Sequence, residues 1–321
     1  MRILVGGRRA PKPPLPRRGP ALVVVALLGL AALLTACAGN PAATSTVSGH
    51  GTVAGSTALQ PLVAAAAQLF HQQYPQATID VAGGGSVAGL QKVNSGQADI
   101  GDSDIYADPA TYPDPNLTDH LVCVIPFAMI VNPNVTVRTL TRDQIIKIFS
   151  TREITNWKDV GGPDLNIVPV VRPATSGTRA TFRKYILGGR DENGTLLTTD
   201  SSQTVLNTVA QQAGAIGYLA MSVVDASVHV VAIDQQMPTP ANIEQGRYAF
   251  WGFEHMYTLG EPNGAVAAFL DFMLTPAVQL LAKQLGYIPI ADLNLAARDG
   301  GTPGTAAAGS PPLARRVEEG A

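Results

Sequence analysis

Three short segments place glycine and a hydroxyl residue directly before a predicted helix: Gly55-Ser56-Thr57, Gly84-Gly85-Ser86 and Ser176-Gly177-Thr178. Glycine allows the backbone to approach a ligand closely, a hydroxyl donates a hydrogen bond, and the first N–H groups of a helix have no partner within it. Together these groups suit a tetrahedral oxyanion. Each segment alone is more simply explained by capping, because serine and threonine are preferred caps of ordinary helices.

Arg172 strengthens the oxyanion interpretation, because it precedes the third segment by four residues and ends a predicted strand. Its planar fork of N–H donors can pair with two oxygens of one anion. The arginine can therefore converge on the same anion that the helix start faces, which favours one binding site over three unrelated caps.

The elements that must position these residues alternate between strands and helices. Apolar runs predict strands at residues 52–54, 79–82, 98–100, 167–171 and 215–220. Apolar residues at three- and four-residue spacing predict helices at residues 59–70, 87–94, 141–150, 178–187, 203–213, 265–274 and 276–285. This alternation predicts an α/β architecture with mostly parallel strands.

The composition excludes some classes of protein. The 321 residues are 46% hydrophobic and 14% charged, with a formal net charge of -2, which excludes a disordered polyampholyte and argues against nucleic-acid binding. The charge is unevenly distributed. Residues 1–36 hold six of the 22 lysines and arginines and no acidic residue, so the other 16 stand against 24 acidic residues and give the rest of the chain a formal charge of −8.

Residues 1–36 have the features of a secretory signal peptide. A basic start is followed by an uncharged apolar run at residues 21–34, shorter than the roughly 20 residues of a membrane-spanning helix. Leu34-Thr35-Ala36-Cys37 then resembles the lipobox of bacterial lipoproteins, in which the cysteine is acylated. We expect Cys37 to anchor the protein on the extracytoplasmic face of the cell membrane. The alternative is an ordinary cleaved signal with a chance cysteine.

Two further segments are predicted to be unfolded from their composition. Residues 37–48 form a flexible linker after Cys37, and residues 296–321 form a disordered tail rich in glycine, proline and alanine. With Cys37 acylated, Cys123 has no partner for a disulfide and is predicted to be a small buried hydrophobic residue.

Several motifs follow one another in a set order along the chain. Arg172 and Ser176-Gly177-Thr178 form an R-x-x-x-S-G-T pattern. The others are the Gly-Ser-Thr at 55–57, the glycine-rich loop at 84–86, the D-I-G-D-S-D at 99–104, the block at 141–162 and the G-A-I-G-Y at 214–218. In this order they resemble the PstS-type periplasmic phosphate-binding proteins of ABC transporters, from about residue 52 to residue 289.

The resemblance implies a two-lobed type II periplasmic-binding-protein fold that closes on one inorganic phosphate without changing it chemically. Lobe 1 would hold residues 49–128 and 255–290, and lobe 2 residues 129–254. The implied partners are inorganic phosphate, the transmembrane subunits of an ABC permease with their cytoplasmic ATPase, and the membrane through the lipid anchor. No enzyme activity, cofactor or metal is implied. The implied phosphate contacts are Ser56, Thr57, Ala58, Ser86, Asp104, Arg172, Ser176, Gly177 and Thr178.

Asp104 would select the ligand, because a carboxylate can only accept hydrogen bonds. Phosphate near neutral pH carries a proton to donate and sulfate carries none, so sulfate would leave Asp104 facing like charge without a donor. Outside the resemblance, Asp104 could equally be a cap or an exposed loop carboxylate. The sequence departs from the better-known pattern of the family at two places. Ala174 occupies a position that is acidic in that pattern, and in the second loop either Ser86 or its neighbour would face the ligand.

Three other functions remain open at this point. A binding protein for another oxyanion, such as sulfate, molybdate or a phosphonate, would share most of the motifs. A secreted phosphatase or hydrolase using Ser176 is disfavoured, because the sequence contains no Gly-x-Ser-x-Gly elbow. A surface adhesin or phosphate sensor could keep the fold without serving transport.

Overall fold

The computed structural model describes residues 47–197 and 200–292. The predicted signal peptide at 1–36, the lipidation site Cys37, the linker as far as residue 46 and the tail at 296–321 lie outside these residues.

Eleven strands form one sheet in the described part of the chain. They are β1 (Gly49–Gly55), β2 (Ala77–Ala82), β3 (Ile100–Ser103), β4 (Leu117–Val131), β5 (Thr139–Leu140), β6 (Val168–Val171), β7 (Thr195–Leu196), β8 (Ala215–Ala220), β9 (His229–Ile233), β10 (Trp251–Leu259) and β11 (Ile288–Pro289). The main order is β2-β1-β3-β10-β4-β8-β6-β7, while β9 and β11 also pair with β4, and β5 pairs with β9.

Eight α-helices accompany these strands among the described residues. They are α1 (Gln60–Gln73), α2 (Ser86–Asn94), α3 (Arg142–Ile146), α4 (Gly177–Tyr185), α5 (Ser202–Gln211), α6 (Pro240–Glu244), α7 (Gly264–Met273) and α8 (Pro276–Gln284). A π-turn at Lys147–Thr151 and 3-10 turns at Trp157–Val160, Met221–Val223 and Ile290–Asp292 complete them. The helix predicted at 141–150 is therefore α-helical only as far as Ile146.

The core forms where the apolar faces of the helices meet the sheet. On α1 the three- and four-residue spacing places Leu62, Val63 and Phe70 in the interior, each fully buried. Phe70 packs edge-to-face on Phe269 of α7, with ring centroids 5.3 Å apart. Burying a side chain of this size contributes about 1.5–3 kcal/mol, so this contact holds α1 in place and positions the site residues directly before it.

The long strands β4 and β10 connect two regions of the sheet. Residues 117–126 of β4 pair with β10, and residues 127–131 pair with β8 and β9. We call β1, β2, β3, β10, β11 and residues 117–126 the first sheet region. The second sheet region comprises residues 127–131 with β5 to β9.

The prediction of mostly parallel strands is wrong. Five of the ten strand pairings in the described residues are parallel, and the five antiparallel ones all involve β4 or β10. The reason is that β4 carries the chain from the first region to the second and β10 carries it back, so these neighbouring strands run in opposite directions. The strand predicted at 98–100 is found at Ile100–Ser103, because its partners β1 and β10 pair with those residues.

Within the described residues, no single helix is long and apolar enough to cross a membrane. The helices α7 and α8 reach that length and hydropathy only when taken together, across a bend of 59°.

Candidate anion-binding site

The first part of the site follows the ends of β1 and β3. Ser56 comes directly after β1, and its backbone N–H donates to the Asp102 carbonyl oxygen of β3 at 3.0 Å. The Ser56 Oγ accepts from the N–H groups of Ala58 and Leu59, both at 3.0 Å. The hydroxyl therefore caps the turn that leads into α1, as capping would predict, and it engages the Ala58 N–H in this structure.

Asp104 lies one residue beyond β3 and is only 6% exposed. Its Oδ2 accepts from the Thr178 hydroxyl at 2.8 Å, and its Oδ1 accepts from the Ser56 hydroxyl. Its own N–H donates to the Ser86 Oγ at 2.9 Å. Burial raises the pKa of Asp104 above its usual range, and the hydrogen bonds from Ser56 and Thr178 and the charge of Arg172 offset only part of this rise. Asp104 is thus a buried acceptor that joins the first and second sheet regions.

Arg172 follows β6 in the second sheet region and is 1% exposed. Its Nε donates to Asp200 Oδ1 at 2.8 Å, and its Nη2 also donates to that oxygen. Nη2 reaches the Thr57 Oγ1 at 3.0 Å, and Nη1 reaches the Ser202 Oγ at 3.5 Å. The guanidinium is therefore held by one carboxylate and faces hydroxyls from the starts of two helices.

The start of α4 packs tightly against the start of α2. A Cβ added at Gly177 would overlap the Ser86 Oγ and come within 2.9 Å of the Asp104 Cβ. Beside it, the Val87 N–H donates to the Thr175 carbonyl oxygen at 3.1 Å. Glycine at 177 is required by this approach, because any side chain would separate the two helix starts.

All nine predicted contact residues lie in this one buried cluster. Ser176 is 1% exposed, and its Oγ accepts from the Arg179 N–H at 3.2 Å, so it caps α4. In the second loop, the Ser86 Oγ accepts from the Asp104 N–H, while the Val87 N–H donates to the Thr175 carbonyl oxygen, and Ser86 stays the predicted contact.

Two residues of the cluster were not predicted. Asp200 is 8% exposed and pairs with Arg172, and Ser202 is 1% exposed and forms a hydroxyl contact of 3.1 Å with Thr57. The sequence did contain a signal for these two residues. An acidic residue and two serines stand directly before the helix predicted at 203–213, and they form a fourth polar helix start. The doubt raised by Ala174 is answered by Asp200, which supplies the acid from a distant part of the chain.

A cavity of about 250 Å³ adjoins Asp104 and is also lined by Lys184, Trp251 and His255. The described residues contain no group of three or more His, Cys, Asp or Glu side chains placed to hold a metal ion. The cluster combines a guanidinium paired with Asp200, several hydroxyls and helix N–H donors with a second acceptor carboxyl, that of Asp104. That combination suits an oxyanion that still carries a proton.

Comparison with known proteins identifies the family. Residues 40–277 match the model of the PBP superfamily domain. The chain is 43% identical over 251 residues to phosphate-binding protein PstS of Bacillus subtilis (strain 168), covering 77% of this chain and 83% of that protein.

Solved structures agree with this assignment. A phosphate ABC transporter substrate-binding protein from Clostridium perfringens, with bound phosphate, is 28% identical with a TM-score of 0.70, covering 75% of this chain and 100% of the other. An ABC-type phosphate transport receptor from Vibrio cholerae is 28% identical with a TM-score of 0.60, and the match covers 74% of this chain and 98% of the other. These likenesses confirm the predicted periplasmic-binding-protein fold. The chain therefore belongs to the PBP superfamily and, within it, to the family of PstS phosphate-binding proteins.

Proposed function

We propose that this protein captures inorganic phosphate at the buried cluster and delivers it to the permease of an ABC phosphate importer. The observation that carries the proposal is Asp104, a buried carboxyl placed among hydroxyl and helix N–H donors. Donors alone would accept any oxyanion, whereas donors with one acceptor fit an anion that carries a proton. The protein binds its ligand and is not an enzyme, in keeping with its phosphate-binding relatives.

The proposed contacts come from both sheet regions. Arg172 would supply the charged fork, and the free N–H groups of Gly177 and Thr178 at the start of α4 would donate to phosphate oxygens. Hydroxyls complete the donor set, from Ser56, Thr57, Ser86, Ser176 and Thr178, with Ala58 at the first helix start. Ser202 joins the same set because its hydroxyl contacts Thr57.

Capture would occur by closure of two lobes about the long strands. The proposed lobes are residues 49–128 with 255–290, and residues 129–254. The proposal is supported by the change of partner along β4, which pairs with β10 as far as Pro126 and with β8 from Phe127 onward. Hinge closure around a ligand is the common motion of periplasmic binding proteins.

Selectivity would come from repulsion of the wrong anion. Phosphate can donate its proton to Asp104, while sulfate has no proton to donate and would face the carboxylate with like charge. A buried uncompensated charge costs about 3–5 kcal/mol, which corresponds to a preference of at least a hundredfold.

The protein would work outside the cytoplasmic membrane, tethered through Cys37 after removal of residues 1–36. Each buried methylene of an acyl chain contributes about 0.8 kcal/mol, and two or more chains make anchoring stable. The linker at 37–48 would let the folded part stand off the membrane and reach the permease.

Calorimetric titration with phosphate and sulfate tests the proposal. The wild-type protein should bind phosphate and reject sulfate, and Asp104→Asn should bind phosphate at least tenfold more weakly while gaining affinity for sulfate. Asp159→Asn, at an exposed position, is the matched control and should change neither. Equal affinity for the two anions, unchanged in Asp104→Asn, would overturn the proposed selectivity.

A further inference from the structure

Two buried carboxyls beside the site have oxygens that accept no hydrogen bond from the residues that the structure describes. Asp102 of β3 is 1% exposed, and Glu254 of β10 is 0% exposed. Among the described residues, no N–H or hydroxyl group donates to the Asp102 Oδ1 or to either carboxyl oxygen of Glu254. A carboxyl buried in this way keeps its proton, because the charged form has neither water nor a donor to stabilise it.

Asp104 differs from these two carboxyls in its hydrogen bonds. Both of its carboxyl oxygens accept from hydroxyls, those of Ser56 and Thr178. Burial and then the charge of Asp104 raise the pKa of Asp102 well above its usual range. Burial, then the charges of Asp104 and Asp102, and a side-chain hydrogen bond with Asp104 do the same for Glu254. Three adjacent carboxyls cannot all be ionised, and the hydrogen bonds assign the charge to Asp104.

Among residues 47–197 and 200–292, no basic group contributes to the pKa of Glu254. The titratable groups that face it are acidic or neutral: Asp102, Asp104, Cys123 and Tyr287. Two helices that pack on β10 carry basic residues, but those of α4 are engaged elsewhere. On α4, Arg179 pairs with Glu192, Arg183 pairs with Asp191, and Lys184 lies over the Tyr185 ring. On α2, the basic residue is Lys92, in the last turn.

We propose that Glu254 stays protonated while phosphate is bound, so that Asp104 is the one ionised carboxyl of the three facing the anion. Glu254 is thus a positioning residue that acts on selectivity through Asp104. This inference rests on the proposed function, since it takes phosphate as the ligand of the site. Ionisation of Glu254 would add a second negative charge next to that of Asp104.

The pH dependence of unfolding tests the proton directly. A glutamate is ionised in the unfolded chain above about pH 4.5, whereas Glu254 is protonated in the folded protein. Unfolding of the wild-type protein therefore releases one proton that Glu254→Gln does not release. In urea titrations of the purified full-length protein in mild detergent, the ratio of the wild-type to the Glu254→Gln unfolding constant should rise about tenfold per pH unit. The rise in this ratio should begin above pH 5 and end at the pKa of Glu254 in the folded protein.

If the unfolding constants of the wild type and of Glu254→Gln change with pH in parallel, Glu254 is ionised in the folded protein and the inference is overturned. Glu153→Gln, at an exposed position, is the matched control and should keep the wild-type slope. Glu254→Leu provides a second neutral variant, so the measurement does not depend on how well one replacement packs.

Phosphate binding gives the second readout. Glutamine has the shape and charge of protonated glutamic acid, so Glu254→Gln should bind phosphate within about twofold of the wild type at pH 6 and pH 7. Tenfold tighter binding would mean that an ionised Glu254 repels the ligand, and tenfold weaker binding would mean that it has another role. Either result overturns the inference. If the wild type binds no phosphate, the proposed function fails instead, while the unfolding slopes still decide the protonation of Glu254.

Discussion

Arg172 and Asp200 form a buried ion pair at the centre of the site, although 28 positions separate them in the chain. The Arg172 Nε lies 2.8 Å from the Asp200 Oδ1, and the two side chains are 1% and 2% exposed. Ala174, two residues after the arginine, cannot supply this acid. Asp200 instead orients the guanidinium from the segment before α5, which leaves Nη1 and Nη2 within reach of Ser202 and Thr57.

Removal of Asp200 should destabilise the protein strongly. Asp200→Ala leaves the Arg172 charge buried without a partner, which typically costs about 3–5 kcal/mol. The free energy of unfolding from urea titration measures this loss. Asp191→Ala is the matched control, because its pair with Arg183 is exposed and its loss should have little effect. Equal losses of unfolding free energy in Asp200→Ala and Asp191→Ala would mean that burial of the Arg172 pair does not increase its contribution to stability.

Arg172→Ala should weaken phosphate binding at least tenfold. The remaining helix starts contribute only about 0.3–1 kcal/mol each, and they cannot replace a charged fork that pairs with two oxygens. Calorimetric titration with phosphate measures the change, and Arg183→Ala is the control because that arginine pairs with Asp191 at the surface. An unchanged affinity in Arg172→Ala would show that the guanidinium does not contact the ligand.

Gly177→Ala should oppose closure of the two proposed lobes. The added Cβ would overlap the Ser86 Oγ across the site, while alanine itself favours the helix by about 1 kcal/mol. We therefore expect a folded protein with at least tenfold weaker phosphate binding. Small-angle scattering should show contraction on addition of phosphate in the wild type and none in Gly177→Ala. Ala180→Ser, at an exposed position of the same helix, should behave as the wild type.

Cys37→Ser should release the protein from the membrane. Without a thiol at residue 37 no acyl chain can be attached, and the protein should move from the membrane fraction to the soluble fraction and lose incorporation of labelled palmitate. Cys123→Ala is the matched control, because Cys123 is buried in β4 and should not affect anchoring. Retention of Cys37→Ser in the membrane fraction would contradict the lipid anchor.

Much of the site could be predicted from local patterns. The Gly-Ser-Thr segments and Arg172 each lie within a few residues of a strand end or a helix start, and the structure brings all nine predicted residues into one buried cluster. Strand β8 is found at the predicted residues, and α5 begins one residue before its predicted start. Such features follow from short-range periodicity and capping, which the sequence displays directly.

The direction of the strands and the partners of the charges could not be predicted in this way. The antiparallel pairing of β4 with β10 joins residues more than 120 positions apart, and no local pattern records which strands become neighbours. Glu254 looks like any charged residue in the sequence, and only burial between strands leaves its oxygens without a donor in the described part of the chain.

The sequence by itself determined the kinds of donor available to an anion and the helix starts that present them. The tertiary structure decided that Asp200 supports Arg172, that Ser202 joins the site and that Asp102 and Glu254 lie beside Asp104. The physical reason is that capping and periodicity act over a few residues. Burial and charge pairing depend instead on which distant segments the folded chain brings together.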